Sequence, residues 1–414
     1  MIQHVSKRAS GSKRSAIREL LKLTERPEII SFGGGLPAPE TFPHEEMATI
    51  AADVIRENPE NVLQYGSSEG SRTLRRLMIE WLRPQGIDVT IDQLLVTTAS
   101  QQGLDLLCKA FVDPGDVIFC GLPSYLGAIQ SFQLFESRMV GVDLEDDGMN
   151  LDMLEQQIQD ERDAGNRLKA VYVIPDFQNP SGICMSLEKR KRLLEIARRE
   201  DLLIFEDNPY GQLRFAGEPI PSILSLDDEG VGRVMMLFTF SKVLCAGLRL
   251  ALLIASGEMM DALVRVKQPT DLCTSKLTQH MAARYIEQYG LDDHLAEIRS
   301  IYRVKRNAMV EALERHMPKN EGISWTNPSG GLFLWVRLPE GMDTEAMFPR
   351  ALEHNVAYVV GSAFYVDGRG ENTMRLSYSL VSTEEIDEGI RRLSDLVREE
   401  LAMIRQPASR SSAA

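Results

Sequence analysis

The chain has 414 residues, of which 43% are hydrophobic, and its 60 acidic and 46 basic residues give a net charge of -14. This acidic balance argues against a nucleic-acid-binding protein and against binding to anionic membranes, and no apolar run approaches the roughly 20 residues that a membrane span needs. The N-terminal residues lack the apolar segment of a signal peptide, so we expect a cytoplasmic protein with small-molecule partners. The length exceeds what one hydrophobic core usually supports, which predicts two domains.

Five cysteines are spread along the chain, mostly among apolar residues. An odd number of widely spaced cysteines favours reduced core thiols over a disulfide framework. The sequence has no CxxC or HExxH spacing, and its six histidines are scattered, so it predicts no metal site.

The first part of the chain combines a polar arm with a helical pattern. Residues 1–14 are polar and basic and predict a segment that becomes ordered only against another surface. A helix is predicted to begin at Ser15, with Ile17 and Leu20 on its apolar face and Arg18 on another face. Arg18 fits a ligand-binding side chain and an exposed helix charge equally well.

Three consecutive glycines occupy positions 33–35. Without side chains, this segment lets its backbone approach another group closely, although a flexible turn is the alternative. Helices are predicted over 44–58 and 74–81, and the loop between them carries an exposed aromatic residue, Tyr65.

Between residues 93 and 255, short apolar runs alternate with helical or loop segments. This spacing predicts a largely parallel sheet that is covered by helices, one of which spans 186–200 with Ser186 as its cap. The seven predicted strands are 94–97, 117–120, 138–142, 170–174, 202–206, 234–238 and 250–255.

From residue 277 onward, long helical patterns dominate. Two strands are predicted in this part, over 330–336 and 374–378, and a final helix begins with the capping box 382–385 and runs to about residue 404. The small polar residues 406–414 predict a disordered tail. An α/β domain is therefore followed by an α+β domain.

Polar side chains follow several of the predicted strands, at the edge of an open sheet where ligands usually bind. Ser100 and Gln101 open a helix after the first strand, so free N–H groups, a hydroxyl and an amide form an anion cradle there. Another strand ends in Thr239, Ser241 and Lys242, and an arginine, Arg249, follows seven residues later. Taken singly, each of these segments is an ordinary loop.

Taken together, the strand ends supply the groups that pyridoxal 5′-phosphate (PLP) requires. Lys242 offers an amine for a Schiff base, while Thr239, Ser241 and Arg249 suit the phosphate. The buried carboxylate of Asp207 would keep the pyridine nitrogen protonated and make the ring an electron sink. The remaining groups are Asn179 and Tyr210 for the ring phenolate oxygen and Tyr125 for stacking on the ring face.

Ordered motifs along residues 15–400 carry a family resemblance. They are SAIRELL (15–21), ISFGGGLP (30–37), QYG (64–66), QNPSG (178–182), EDNPY (206–210), TFSK (239–242), GLRL (247–250) and MRL (374–376). With these motifs the chain resembles the fold type I PLP-dependent aminotransferases of class I/II, and within them the branch of 2-aminoadipate and kynurenine aminotransferases.

The resemblance implies an α/β architecture of the PLP-dependent transferase fold type I. A large domain with a mainly parallel seven-stranded sheet would precede a smaller α+β C-terminal domain. The implied divisions are an N-terminal arm and lid helix that packs with the small domain (1–43), the PLP-binding domain (44–280), the small domain (281–405) and the tail (406–414).

The resemblance also implies a role for each site residue. Lys242 would be catalytic, forming the Schiff base and then moving the proton between the substrate Cα and the cofactor. Tyr65 would reach the phosphate of a neighbouring subunit, which implies a homodimer with shared sites. The implied phosphate ligands are Ser100, Gln101, Thr239, Ser241 and Arg249. The implied substrate contacts are Arg375 on the α-carboxylate, Gly34 and Gly35 beside the substrate backbone, Asn179, Tyr65, and Arg18 on acidic side chains.

The implied activity is transfer of the amino group of an L-α-amino acid to a 2-oxo acid, such as 2-oxoglutarate or pyruvate, by a ping-pong mechanism. Amino donors of the 2-aminoadipate, aromatic or branched-chain type are expected. The chain departs from the branch at Ala251 and Leu252 and in residues 243–247, which affects substrate preference more than the cofactor. The alternatives are a PLP-dependent lyase, decarboxylase or synthase, and a non-catalytic effector-sensing domain of the kind found in transcription regulators.

Overall fold

The computed structural model describes residues 4–11, 26–227 and 232–405. The predicted helix around Arg18 and the predicted tail 406–414 lie outside these residues. None of the helices in the described ranges has the length and apolar character needed to cross a membrane.

The strands form one large sheet, one small sheet and a short two-stranded pair. In chain order they are β1 Ile30–Ser31, β2 Leu94–Thr97, β3 Val117–Leu122, β4 Arg138–Glu145, β5 Gly148–Met149, β6 Leu168–Val173, β7 Leu203–Asn208, β8 Val234–Thr239, β9 Ala251–Ile254, β10 Ser324–Trp325, β11 Phe333–Arg337, β12 Val356–Ala357, β13 Val359–Val360 and β14 Thr373–Ser377.

Helices cover the large sheet and build most of the C-terminal part. They are α1 Lys7–Gly11, α2 His44–Glu57, α3 Pro59–Val62, α4 Arg72–Leu82, α5 Ala99–Phe111, α6 Leu126–Leu134, α7 Leu151–Asp163, α8 Leu187–Glu200, α9 Ile223–Leu226, α10 Gly257–Asp271, α11 Lys276–Tyr289, α12 Asp292–His316, α13 Thr344–Glu353 and α14 Thr383–Arg405.

The large sheet has the strand order β2-β9-β8-β7-β6-β3-β4-β5. Its central strands pair in parallel, whereas β9 runs antiparallel to both of its neighbours and β5 antiparallel to β4. All seven predicted strands are present, so the predicted α/β sheet is confirmed. The eighth strand, β5, was not predicted because it has only two residues.

Burial explains why these strands could be recognised from the sequence. Every residue of β2, β3, β8 and β9 is buried, as expected for a sheet that helices cover on both faces. Strand β4 extends three residues beyond its predicted end at residue 142 because its last residues pair with β5.

Helix caps fix the ends of two predicted helices. The Ser186 side chain accepts a hydrogen bond from the backbone N–H of Lys189 at the start of α8. At the start of α14, the Ser382 N–H donates to the Glu385 carboxylate, and the Glu385 N–H donates to the Ser382 hydroxyl. The predicted capping box is confirmed.

The C-terminal part is built on the antiparallel sheet β10-β11-β14-β13. Trp335 on β11 and Val359 on β13 both pair with Arg375 on β14, so the three side chains share one face of this sheet. The N-terminal arm reaches the same region, because β1 pairs in parallel with β12.

Candidate active site

The carboxyl edge of the large sheet brings most of the predicted site residues together. Asp207 lies near the end of β7, and Lys242 follows β8. Asn179 lies in the loop after β6, and Ser100 is in the first turn of α5, directly after β2. Arg375 approaches the same place from β14 of the small sheet.

The amine of Lys242 lies under the glycine segment of the N-terminal arm. Its Nζ donates a hydrogen bond to the carbonyl oxygen of Gly35 at 2.9 Å. Burial, together with the positive charges of Arg375 and Arg249, lowers the pKa of Lys242 to about 8. A substantial fraction of this amine is therefore neutral near pH 8 and able to act as a nucleophile.

The Asp207 carboxylate is almost completely buried, with 3% of the residue exposed. Its Oδ2 accepts a hydrogen bond from the phenol of Tyr172 at 2.9 Å, whereas Oδ1 is buried and has no partner among the described residues. Burial raises the pKa of Asp207 to about 7, and the hydrogen bond from Tyr172 opposes this shift. An unpartnered carboxylate oxygen at this place fits a protonated ring nitrogen, so the residues present fit PLP.

Arg375 is buried and is held in place by the loop of Asn179, by the glycine segment and by two aromatic rings. One terminal nitrogen donates to Asn179 Oδ1 at 3.0 Å, and the other donates to the Gly33 carbonyl oxygen at 2.7 Å. Its guanidinium carbon lies 4.4 Å from the ring centre of Phe333 and 5.4 Å from that of Phe364. Burial lowers the pKa of Arg375 to about 10. The guanidinium remains charged at neutral pH and is suited to a carboxylate.

Tyr210 completes the group around Arg375. It is buried, and its ring lies edge-on to Phe333 with ring centres 5.8 Å apart. Burial raises the pKa of its phenol, while a hydrogen bond with Asn179 and the charge of Arg375 act in the opposite direction. Asn179, Tyr210 and Arg375 therefore form one connected set.

At the place of the predicted anion cradle, the first turn of α5 lies beside the loop after β8. The Ala99 N–H donates to the carbonyl oxygen of Arg249 at 3.1 Å, which ties the two segments together. Ser100 Oγ is buried without a partner among the described residues, and Ser241 Oγ accepts a hydrogen bond from Arg249 at 3.5 Å. A free hydroxyl, N–H groups and a guanidinium are the groups that a phosphate needs.

Two predicted phosphate ligands have other partners in this structure. The amide of Gln101 donates to Ser131 Oγ at 2.8 Å and to the Gly127 carbonyl oxygen at 3.2 Å, both on α6. The Thr239 hydroxyl donates to the Leu250 carbonyl oxygen at 3.4 Å and accepts from the Ser241 N–H at 3.2 Å. Gln101 therefore links α5 to the helix that follows Tyr125.

The glycine segment passes close to the small-sheet side of the site. A Cβ built on Gly35 would lie 3.3 Å from Phe333 Cζ and 3.8 Å from a terminal nitrogen of Arg375. A Cβ on Gly34 would lie 2.8 Å from Leu380 Cδ1. The predicted close approach of the backbone is thus present at both positions.

The two remaining predicted tyrosines are placed differently. Tyr125 is half-buried before α6, and its ring covers Gly127, where an added Cβ would lie 2.6 Å from ring atoms. Its phenol is near enough to act electrostatically on Tyr210 and Arg375. Tyr65 is 75% exposed. The predicted substrate contact Arg18 lies outside the described residues.

Sequence reasoning missed three aromatic residues that contribute to the site. In the sequence, Tyr172 looks like one more apolar residue of a buried strand, although its hydroxyl indicates that a hydrogen-bond partner must lie nearby. Phe333 and Phe364 come from another part of the chain, and their contact with Arg375 depends on the tertiary fold.

Arg190 on α8 is a further residue that the sequence did not reveal. It is fully buried and donates to the carbonyl oxygens of Pro175, Met185 and Pro221 at 2.9 to 3.0 Å. It also donates to Asp176 Oδ1 at 2.9 Å. These bonds hold both ends of the loop that carries Asn179.

Comparison with known proteins is consistent with this geometry. The sequence profile of the family described as aminotransferase class I and II matches residues 30–393. The chain is 44% identical to aromatic-amino-acid aminotransferase 1 of Thermococcus litoralis, over 96% of this chain and 95% of that protein. It is also 44% identical to 2-aminoadipate transaminase of Thermus thermophilus, over 96% of this chain and 97% of that protein.

A solved structure shares the fold over nearly the whole length. It is an alpha-aminoadipate aminotransferase from Thermus thermophilus, complexed with N-(5'-phosphopyridoxyl)-L-leucine. The TM-score is 0.89 at 41% identity, and the match covers 97% of this chain and 99% of that chain.

Proposed function

The chain belongs to the family of class I and II aminotransferases, and on this premise we propose which residues carry its reaction and which amino acids it accepts. The enzyme is a PLP-dependent transaminase that moves an amino group from an amino acid to a 2-oxo acid. The observation that carries the proposed roles is that Lys242 and Arg375 both donate to carbonyl oxygens of residues 33–35. An amine and a carboxylate-binding guanidinium therefore face one small space.

When bound, PLP supplies an electron sink that stabilises negative charge at the substrate Cα. Asp207 Oδ1 would hold the ring nitrogen, Asn179 and Tyr210 the ring oxygen, and Tyr125 the ring face. The cradle of Ser100, Ser241 and Arg249 would hold the phosphate. Gln101 and Thr239 remain predicted phosphate contacts.

Arg375 would bind the substrate α-carboxylate. Its Nε is buried without a partner among the described residues, and its terminal nitrogen on Gly33 is held only by a neutral carbonyl oxygen. A carboxylate forms stronger, charge-assisted hydrogen bonds and can replace that carbonyl. With the substrate anchored in this way, Lys242 Nζ would accept the proton from the substrate Cα and then donate it to the cofactor.

We propose amino donors with long, aromatic or branched side chains, and 2-oxoglutarate or pyruvate as acceptors. The two relatives are named for aromatic amino acids and for 2-aminoadipate, and the solved alpha-aminoadipate aminotransferase holds a leucine derivative, which supports this range. Arg18 stays a predicted contact for acidic side chains, and Gly34 and Gly35 would leave room for the substrate backbone.

The proposed assembly is a homodimer in which Tyr65 reaches the phosphate of the other protomer. This proposal is supported by the exposure of large apolar side chains close to the glycine and phosphate segments: Leu36 is 61% exposed, Leu63 64% and Leu272 49%. The Tyr65 side chain is 75% exposed and is therefore accessible to a second protomer. The division into a large domain (44–280) and a small domain (281–405), with an N-terminal arm (1–43), also stays a proposal.

A cytoplasmic location is proposed as well. All five cysteines are free, and two of them, Cys108 and Cys120, are buried. Free thiols are typical of a reducing compartment.

An absorption experiment tests the proposed donors. The PLP-loaded protein is titrated with single amino acids in the absence of any oxo acid, and then with 2-oxoglutarate or pyruvate. We expect one equivalent of a good donor to convert the pyridoxal spectrum into a pyridoxamine spectrum and the oxo acid to reverse it. The donor panel contains 2-aminoadipate, aromatic and branched-chain amino acids, and Lys242→Ala serves as the inactive control.

Each other result has a definite meaning. Product formation that continues without any oxo acid would indicate a lyase or decarboxylase. A protein that takes up no PLP would indicate an effector-sensing or scaffold role. Full turnover by Lys242→Ala would contradict the role given to this lysine.

A further inference from the structure

Tyr172 and Asp207 form a buried hydrogen bond between adjacent strands of the large sheet. Tyr172 lies on β6 and Asp207 on β7, and the two residues are 2% and 3% exposed. The phenol donates to Oδ2 at 2.9 Å. This contact leaves Oδ1 as the carboxylate oxygen that is free for a ligand.

The ring of Tyr172 is fixed by aromatic packing. It meets Phe132 of α6 edge-on, with ring centres 5.4 Å apart, and Phe132 stacks on Phe205 of β7 at 6.3 Å. Phe205 also pairs with Tyr172 in the sheet register. The donor is thus held on rigid elements, with little freedom to leave the carboxylate.

The chemistry of this donor suits its place. Among the described residues, no arginine, lysine or histidine forms an ion pair with Asp207, although burial raises the pKa of the carboxyl to about 7 against the opposing hydrogen bond from Tyr172. A cation in this position would stabilise the carboxylate but would repel a protonated ring nitrogen. The phenol of Tyr172 has a pKa well above its usual value because of burial and the nearby carboxylate, so it remains a neutral donor.

We propose that Tyr172 is a positioning residue that keeps the proton shared by Asp207 and the cofactor ring on the ring nitrogen. The inference rests on the proposed function. By donating to Oδ2, Tyr172 stabilises the anionic carboxylate and so makes Oδ1 a weaker base. The proton between Oδ1 and the ring nitrogen then resides on nitrogen, where it maintains the electron sink.

The test uses the holoenzyme loaded with PLP that carries ¹⁵N at the ring nitrogen. The ¹⁵N chemical shift at neutral pH reports directly which partner holds the proton. In Tyr172→Phe, which keeps the ring and removes the donor, the ratio of nitrogen-bound to carboxyl-bound proton is expected to fall about tenfold. The shift should therefore move toward the value of unprotonated pyridine.

A kinetic readout separates this role from substrate binding. Tyr172→Phe is expected to lower kcat of the amino-acid half-reaction about tenfold, while KM for the amino donor changes less than about twofold. The reason is that Tyr172 contacts Asp207 and not Arg375, which binds the carboxylate in the proposed function.

The matched control is Tyr358→Phe. Tyr358 is also 2% exposed, donates to a backbone carbonyl (Thr344) at 2.7 Å and meets Phe348 edge-on at 5.5 Å. The control loses a buried phenol of the same kind in another part of the fold. Its ¹⁵N shift is expected to equal that of the wild type.

A fluorinated tyrosine at position 172 keeps the shape of the side chain and decides the question if Tyr172→Phe does not fold. Its more acidic phenol is a stronger donor, so the ring nitrogen should keep its proton, as read from the ¹⁵N shift, up to a higher pH than in the wild type. A wild-type protein that loads PLP, combined with substituted proteins whose ¹⁵N shifts do not move, would overturn the role of Tyr172 alone. A wild-type protein that takes up no PLP would overturn the proposed function together with it.

Discussion

The ε-amino nitrogen of Lys242 lies 2.9 Å from the carbonyl oxygen of Gly35 and donates a hydrogen bond to it. Two residues earlier in the same segment, the Gly33 carbonyl accepts from Arg375. One stretch of backbone therefore accepts hydrogen bonds from the two side chains that are proposed to bind the cofactor and the substrate. Because these acceptors are neutral carbonyl oxygens, a charged ligand forms stronger hydrogen bonds with the two side chains and can replace them.

The lowered pKa of Lys242 predicts how the cofactor-free protein takes up PLP. The amine is protonated below pH 8 and neutral above it, because its pKa is lowered to about 8. The attachment rate is expected to rise about fivefold from pH 7 to pH 8 and less than twofold from pH 8 to pH 9. Stopped-flow absorbance measures this rate. A midpoint near the usual lysine pKa would contradict the burial argument.

Arg375→Lys is expected to raise KM for the amino donor about a hundredfold. A lysine keeps one positive charge but loses the planar fork that can hold a carboxylate through two parallel hydrogen bonds. PLP affinity should stay within about threefold of the wild type, because Arg375 is not among the proposed cofactor contacts. Steady-state kinetics and PLP titration measure the two quantities.

Arg306→Lys is the matched control for that change. Arg306 lies on α12 of the same region, stacks on Phe215 at 5.1 Å and donates to Asn327. It should lose stability without a change in KM. Equal KM values for the two substitutions would refute the role of Arg375.

Gly35→Ala is expected to raise KM for the amino donor about tenfold through crowding. The new methyl group would lie 3.3 Å from Phe333 Cζ and 3.8 Å from the Arg375 guanidinium, in the space proposed for the substrate. Gly257→Ala is the control, because a Cβ at that position, the first residue of α10, meets nothing within 4 Å. If the two variants have the same KM, the glycine segment does not border the substrate.

The proposed homodimer with shared sites predicts recovery of activity from two impaired variants. Tyr65→Ala and Lys242→Ala each damage every site of their own homodimer, but a mixed dimer has one site with both residues intact. After unfolding and refolding of an equal mixture, about a quarter of wild-type activity should return. Mixing Lys242→Ala with a variant of another exposed tyrosine, Tyr289→Ala, should give only the average of the two activities. The same average for the Tyr65→Ala mixture would mean that the sites are not shared.

The large sheet could be predicted well because its strands are continuous apolar runs, as in β8 with six buried residues. Short pairings could not, because β5 and β12 have only two residues each and depend on their partners. Strand β4 was predicted too short for the same reason. The local sequence of so short a strand does not indicate which distant segment it pairs with.

In the candidate site, too, residues in local motifs could be predicted, whereas contacts between distant segments could not. Asp207, Asn179 and Lys242 stand in strand-end motifs, so their chemistry could be recognised in the sequence. Tyr172 could not be assigned to Asp207 without the order of β6 and β7. The hydrogen bond from the Gln101 amide to Ser131 on α6 also could not be predicted without the three-dimensional structure.

Arg190 gives the scaffold a vulnerable point that no substrate touches. Its guanidinium is fully buried, and its hydrogen bonds close the loop on which Asn179 stands. Random mutagenesis that is scored by growth on an amino acid should therefore yield inactive variants at position 190 as well as at Lys242 and Arg375. A map of the inactive alleles would therefore include a residue that lies outside the proposed contacts with substrate and cofactor.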